Sequence, residues 1–252
     1  MNPLLRTNPA TRLLSLLLLG STVSEPQAAT IHWNMNSTTP SSTLPGGMAT
    51  PTLSRGNNNG TTTLLSTTSA SSGYSFSVDG TATAASGSNN AAAAARTGSL
   101  DLALSAYFEF SLATTAGYTA EITALGLATR RTSTGPTTIS LRSSADNFAS
   151  SLATFTSEAA STWTHSTATL IAPVYLADAA TITFRLYGFN GTGTASANTA
   201  NWRIDDLIAS ATTLASPPDP SPVPEPASTT IPLATAAALG LSRRQRPRTN
   251  TR

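Results

Sequence analysis

Asp205 and Asp206 are adjacent acids at the head of an apolar run, and in this 252-residue chain they are the pair whose type and spacing most readily do chemistry. A calcium ion takes six to eight oxygen ligands from carboxylates, amide oxygens and backbone carbonyls, all plentiful in a sequence rich in Asn, Ser and Thr. Neighbouring strand residues point to opposite faces, so one ion holds both carboxylates only at a bulge or a strand end. The competing reading is structural: one aspartate caps a turn and the other pairs with Arg203 or Arg185. The flat rings of Trp163 and Tyr187, with Tyr118 and Tyr175, are candidates for a sugar-stacking platform if they lie on the surface, and core or rim residues if they do not. Catalysis finds less to work with. Nine acidic residues lie between 30 and 216, but no spacing singles out the two carboxylates, about 5 to 9.5 Å apart, of a glycosidase. No Gly-x-Ser-x-Gly elbow accompanies either of the two histidines, His32 and His165. The expectation is a protein that is not an enzyme. The absence of cysteine excludes a disulfide scaffold, a thiolate metal site and a Cys nucleophile. No cofactor is expected, calcium being the one candidate.

The elements that must position these residues read as strands. Tyr107–Leu112 alternates, placing Phe108, Phe110 and Leu112 on one face; Thr138–Arg142 does the same with Ile139 and Leu141. Thr181–Tyr187 aligns Ile182, Phe184 and Leu186, and the run from Trp202 to Ile208 puts Trp202 and Ile204 together. Weaker runs are Ile31–Met35, Tyr74–Val78, Tyr118–Thr129 and Ala168–Tyr175. Period-two alternation of apolar residues with Thr, Ser or Arg suits sheets with one face buried. Turn-forming clusters at Thr134-Gly135-Pro136 and Asn190-Gly191-Thr192-Gly193 separate the runs. Eight or nine short strands so spaced predict an all-β fold, an antiparallel β-sandwich of jelly-roll-like type, over residues 30–214. Two stretches, near 40–63 and 81–96, read as flexible loops. The second ends in five consecutive alanines with the propensity for a short helix capped by Asn89.

The charge is low and unevenly placed. Charged residues are 10% of the chain, against about 25% in an average soluble domain. All 14 basic residues are arginine. Residues 30–216 hold seven of them against nine acids, a net charge of −2, so the high pI belongs to the two ends. A nucleic-acid partner is not expected, since such binding rests on clustered Lys and Arg meeting phosphates.

The ends carry address signals. Arg6 and Arg12 precede the apolar run Leu13–Leu19, and Ala28-Ala29 follow; a charged head, short apolar stretch and small-residue cleavage site make a signal peptide, expected over residues 1–29 as a short helix. At the other end, six of the ten residues from Pro217 to Pro226 are proline, an extended linker over 215–226. Residues 227–252 then run through an apolar segment, predicted as a short helix, into Arg243, Arg244 and Arg246. This order suits a membrane stop with the arginines on the cytoplasmic side. A helix of 15 residues, counted from Ala227, spans about 22 Å against a hydrocarbon core of about 30 Å, so membrane anchoring is expected to be transient.

On these residues the tail resembles the PEP-CTERM sorting signal, whose recognition box corresponds to Pro224, Glu225 and Pro226, preceded here by Val223. The resemblance implies export, processing by an exosortase at the inner membrane, and a place on the cell surface or in the extracellular matrix of an exopolysaccharide-forming Gram-negative bacterium. The stretch from Ala106 to Leu207 is similar, more loosely, to the sandwich ectodomains of many PEP-CTERM proteins, which implies no particular activity. Two functions follow as expectations: an exported, non-catalytic structural protein of the cell surface or biofilm matrix, or a carbohydrate-binding module displayed the same way, with exopolysaccharide as the expected partner.

Overall fold

The computed structural model describes residues 25–216 apart from 96–97, 159–161 and 198. The signal helix, the C-terminal apolar helix, and the sorting residues Val223, Pro224, Glu225, Pro226, Arg243, Arg244 and Arg246 lie outside these residues. Thirteen strands follow one another: β1 (Gln27–Trp33), β2 (Ser54–Gly56), β3 (Leu65–Ser66), β4 (Ser75–Val78), β5 (Thr81–Ala84), β6 (Asn90–Ala94), β7 (Tyr107–Ala113), β8 (Tyr118–Arg131), β9 (Thr138–Ser143), β10 (Ala153–Thr156), β11 (Thr164–Leu176), β12 (Thr181–Phe189) and β13 (Asn201–Ala215). No α-helix occurs among the described residues.

Two antiparallel sheets make the sandwich. One runs β11-β8-β13-β6-β3 with β1 also on β13; the other runs β10-β9-β12-β7-β2. Their inner faces carry the alternating residues read from the sequence. Phe108, Phe110, Leu112, Ile139, Leu141, Phe184 and Leu186 from the second sheet meet Trp33, Leu125, Leu127, Trp202 and Ile204 from the first. Trp33 packs on Phe110 at 5.2 Å between ring centroids and Phe108 on Trp202 at 4.6 Å, so the two layers interlock through rings. A third, two-stranded sheet of β4 and β5 stands apart.

Both stretches expected as loops contain strands. Ser54–Gly56 pairs with β7, and Met48 and Leu53 are buried. The alanine run is β6, not a helix: Ala91 to Ala95 are wholly buried, and Asn90 belongs to the strand rather than to a helix cap region. Ala91, Ala93 and Ala95 join the core while Ala92 and Ala94 are buried on the opposite face. Helix preference, worth a few tenths of a kcal/mol per residue, yields here to a strand buried on both faces. The sandwich also begins earlier than expected, since Gln27 to Ala29 pair with Thr213 to Ala211.

The close packing has one tight point between layers. A Cβ on Gly188 of β12 would stand 2.7 Å from Trp202 Cε2 and 3.1 Å from Pro136 Cγ. Gly188→Ala should therefore overpack the core and cost about 1–3 kcal/mol, read as a lower urea midpoint with an unchanged slope.

Candidate functional site

β13 carries partners on both edges. Along one edge lies β8; along the other, β6 pairs with Asn201–Ile204 and β1 with Leu207–Thr213. Asp205 and Asp206 fill the gap between β6 and β1, where the register with β8 shifts between Asp205 and Ile208. Asp206 has φ 43°, a left-handed conformation that Asp and Asn tolerate better than most residues. The bulge that calcium would require is thus present, and both acids are fully buried.

Their surroundings do not fit a cation. Asp206 Oδ1 accepts from His32 Nε2 at 2.9 Å and from the Ser86 hydroxyl; Oδ2 accepts from Tyr74 Oη at 2.6 Å and from the Ser86 amide at 3.0 Å. Four donors aim their hydrogens at this carboxylate, where a cation would be repelled. Asp205 Oδ1 accepts the Asp206 amide at 2.8 Å, and its Oδ2 is buried without a hydrogen-bond partner. Among the described residues no group of three or more His, Asp or Glu is arranged to hold a metal ion. Nor does either acid pair with arginine: Arg203 donates to Asn90 and Arg185 to Glu109.

Segment 66–88 folds over this end of the sheet. Phe76 stacks on His165 at 4.8 Å and lies 5.2 Å from His32; Tyr74 lies 5.8 Å from His165. His165 Nε2 donates to the Asp206 carbonyl at 3.3 Å. Farther along, Asp79 Oδ1 accepts the Thr30 amide at 2.5 Å, and Asn90 Nδ2 donates to the Thr68 and Ser69 carbonyls. Asp206 is therefore a clasp that pins β4 and β5 to β1 and β13.

The electrostatics follow from that enclosure. Burial opposes ionisation of Asp206, but the hydrogen bonds from His32, Ser86 and Tyr74 hold its pKa below the usual carboxylate value. Burial, with the neighbouring Asp206 charge, pushes Asp205 up to about 7. Tyr74 is pushed upward by burial and by its bond to Asp206, and His165 downward by burial.

One arrangement here was not legible in the sequence. Ser41 Oγ lies 3.3 Å from His32 Nδ1 and 3.1 Å from the His32 carbonyl, so a hydroxyl, an imidazole and the Asp206 carboxylate stand in a row. The partners sit on opposite ring nitrogens, with Ser41 in a loop that also donates its amide to the His32 carbonyl at 2.7 Å. The exchange fixes the loop to β1. In a chain this rich in serine, spacing gives no signal for it.

The aromatic candidates separate. Trp163 is buried, its indole Nε1 donating to the Ser69 carbonyl at 3.1 Å. Tyr187 is fully buried against Tyr107, its hydroxyl accepting from Arg185. Neither presents a ring to solvent, so the platform expected of them does not form. Tyr118 is half-buried, its ring lying where a Cβ on Gly47 would stand. Tyr175 is 67% exposed beside the exposed Ile171 of β11.

No family model and no curated protein matches the chain. Among solved structures the chain is similar to the K1 cleaved adhesin domain of Lys-gingipain from Porphyromonas gingivalis W83, at 13% identity and a TM-score of 0.34, over 71% of this chain and 96% of that one. A likeness that distant says nothing of a site.

Proposed function

We propose that the chain is an exported, non-catalytic structural protein of the cell surface or exopolysaccharide matrix of a Gram-negative bacterium, delivered by an exosortase-type system. The observation that carries this reading is the ordered tail: the box Pro224-Glu225-Pro226, an apolar segment and then Arg243, Arg244 and Arg246, in one chain with an N-terminal export signal. The buried clasp supports the non-catalytic half, because the groups that would act as acid and base tie β-strands together instead. A surface dominated by Ser, Thr and Asn suits a hydrated polysaccharide setting.

The pairing of Gln27–Ala29 with β13 bears on maturation. A cut after Ala29 would strip three residues from β1, so the mature chain is expected to begin at or before Gln27. The test is the intact mass of the protein recovered from its host's envelope and medium. The expected mass lacks both the leader and the residues beyond the Pro224-Glu225-Pro226 box; a retained arginine-rich tail would overturn the sorting reading. A second reading, a glycan-binding module displayed in the same place, is favoured by a pocket on the outer face of the larger sheet.

A further inference from the structure

We infer that the pocket framed by Arg130, Arg131 and Arg203 binds the carboxylate groups of an acidic polysaccharide. Its volume is about 330 Å³, and Ser69, Thr132, Ser133 and Asn201 complete its rim. That lies at the lower end of the roughly 300–1,000 Å³ of small-molecule sites, room for a sugar unit rather than a polymer groove.

Arg203 of β13 stands directly opposite Arg130 of β8 in the strand register. Like charges so placed destabilise a strand pair, and both the burial of Arg203 and the charge of Arg130 press the Arg203 pKa downward. No ion pair among the described residues offsets this. Arg203 Nη1 donates to the neutral Asn90 amide oxygen at 2.7 Å. Arg131 donates to the carbonyls of Ser157, Thr132 and Ser133. Arg130 makes no hydrogen bond or ion pair among the described residues. Asp205, two residues along the same face of β13, is buried and makes no ion pair with Arg203. The contrast is Arg185, which has its own carboxylate in Glu109 at 2.6 Å. Three guanidinium groups without an ion-pair partner among the described residues, in a body whose net charge is −2, are a local feature and not a by-product of a basic protein.

Guanidinium forks bind carboxylates in a bidentate way that fixes orientation as well as charge, and the rim hydroxyls suit the hydroxyls of a sugar ring. A nucleic-acid strand would need a track of basic residues with rings for stacking bases; the exposed Tyr175 does not line this pocket. The anion site stands on its geometry alone, while the choice of a polysaccharide as its source rests on the matrix reading above.

The test is titration calorimetry on the purified full chain with four probes at equal ionic strength: a polygalacturonate oligomer, its methyl ester, inorganic phosphate and single-stranded DNA. The uronate oligomer should bind and the ester should not. Arg130→Gln should weaken uronate binding at least tenfold while the ligand-free melting temperature stays the same or rises, since a repulsion is removed. Arg130→Lys keeps the charge but not the fork, and should bind more weakly than the unaltered chain with its fold intact. The proposal is overturned by equal binding of the ester, by uronate binding that ignores both substitutions, by binding of phosphate alone, or by tighter Arg130-dependent binding of DNA. A processed tail with no uronate binding would sink this inference and leave the sorting reading standing; a retained tail with uronate binding would do the reverse.

Discussion

Asp206→Ala should lower the melting temperature by on the order of 10 °C. The substitution removes the acceptor for His32, Tyr74 and both donors of Ser86 in a site closed to water. Removing one partner of a buried charged network costs about 3–5 kcal/mol, chiefly because the donors left behind are unpaired. In a domain of this size each kcal/mol is worth roughly 2–4 °C. Alanine also resists the left-handed backbone at this position. Asp206→Asn keeps one acceptor oxygen and tolerates that backbone, so its loss should be clearly smaller. Protection of the β4 and β5 amides from hydrogen exchange should fall first, because the clasp is what holds that pair of strands down. A loss under 1 kcal/mol with unchanged exchange would mean that Asp206 does not carry the clasp.

Asp205→Asn should act in the opposite direction, with a gain that grows from about pH 4 and is complete near pH 7. Burial pushes the Asp205 carboxyl in the folded chain up to about 7, from an ordinary carboxylate value of 3.8. A raised carboxylate pKa means that the folded state holds its proton longer, so stability is full below about pH 4, declines as pH rises towards 7, and is flat beyond. Three pH units correspond to about 4 kcal/mol. Replacing the acid with a neutral amide removes that decline. The urea midpoint of the variant should therefore exceed that of the unaltered chain by more at pH 8 than at pH 5, with the variant the more stable protein at pH 8. On the acid side the slope reverses. The lowered Asp206 contributes stability that is lost as pH falls below about 4, and the lowered His165 stability that is lost as pH falls below its unfolded value of about 6.5. An unchanged pH 8 midpoint in Asp205→Asn would show that the buried carboxylate carries no such cost.

The sandwich was legible where alternation was strong. Phe108, Phe110 and Leu112 of β7, Ile139 and Leu141 of β9, and Phe184 and Leu186 of β12 point inward as their spacing requires, because a strand has a period of two and a half-buried sheet rewards it. The alanine strand was not legible, because its side chains carry no alternation and only a cavity closed on both faces selects for them. Nor were β2, β3, β5 and β10, which are two to four residues long and take their shape from a partner. The acid pair reads as part of the strand run from Trp202 to Ile208 and lies within β13, but the register shift at it and its role are not readable. Tyr74, Ser86 and His32 reach Asp206 from 132, 120 and 174 positions away, beyond any spacing rule. The burial of Trp163 and Tyr187 is equally unreadable: an aromatic beside polar neighbours looks the same in sequence whether it faces solvent or is covered by protein. Arg130 and Arg203 were visible as residues, but that they oppose each other across two strands is a fact of register alone.

β13 is the last strand of the sandwich and the common partner of β1, β6 and β8. While it is withheld, the larger sheet has no centre, and β1 pairs with no other strand among the described residues. Closure must then join segments more than 170 positions apart, as His32 and Asp206 are, which puts folding in the slow range of strand-dominated topologies, milliseconds to seconds. A growing polypeptide of this sequence therefore cannot complete its larger sheet until β13 has been made, although every strand of the smaller sheet precedes it. The same delay leaves β1, β6 and β8 with open edges and few charges nearby, so the interval before the final strand arrives is when association between chains is the main hazard.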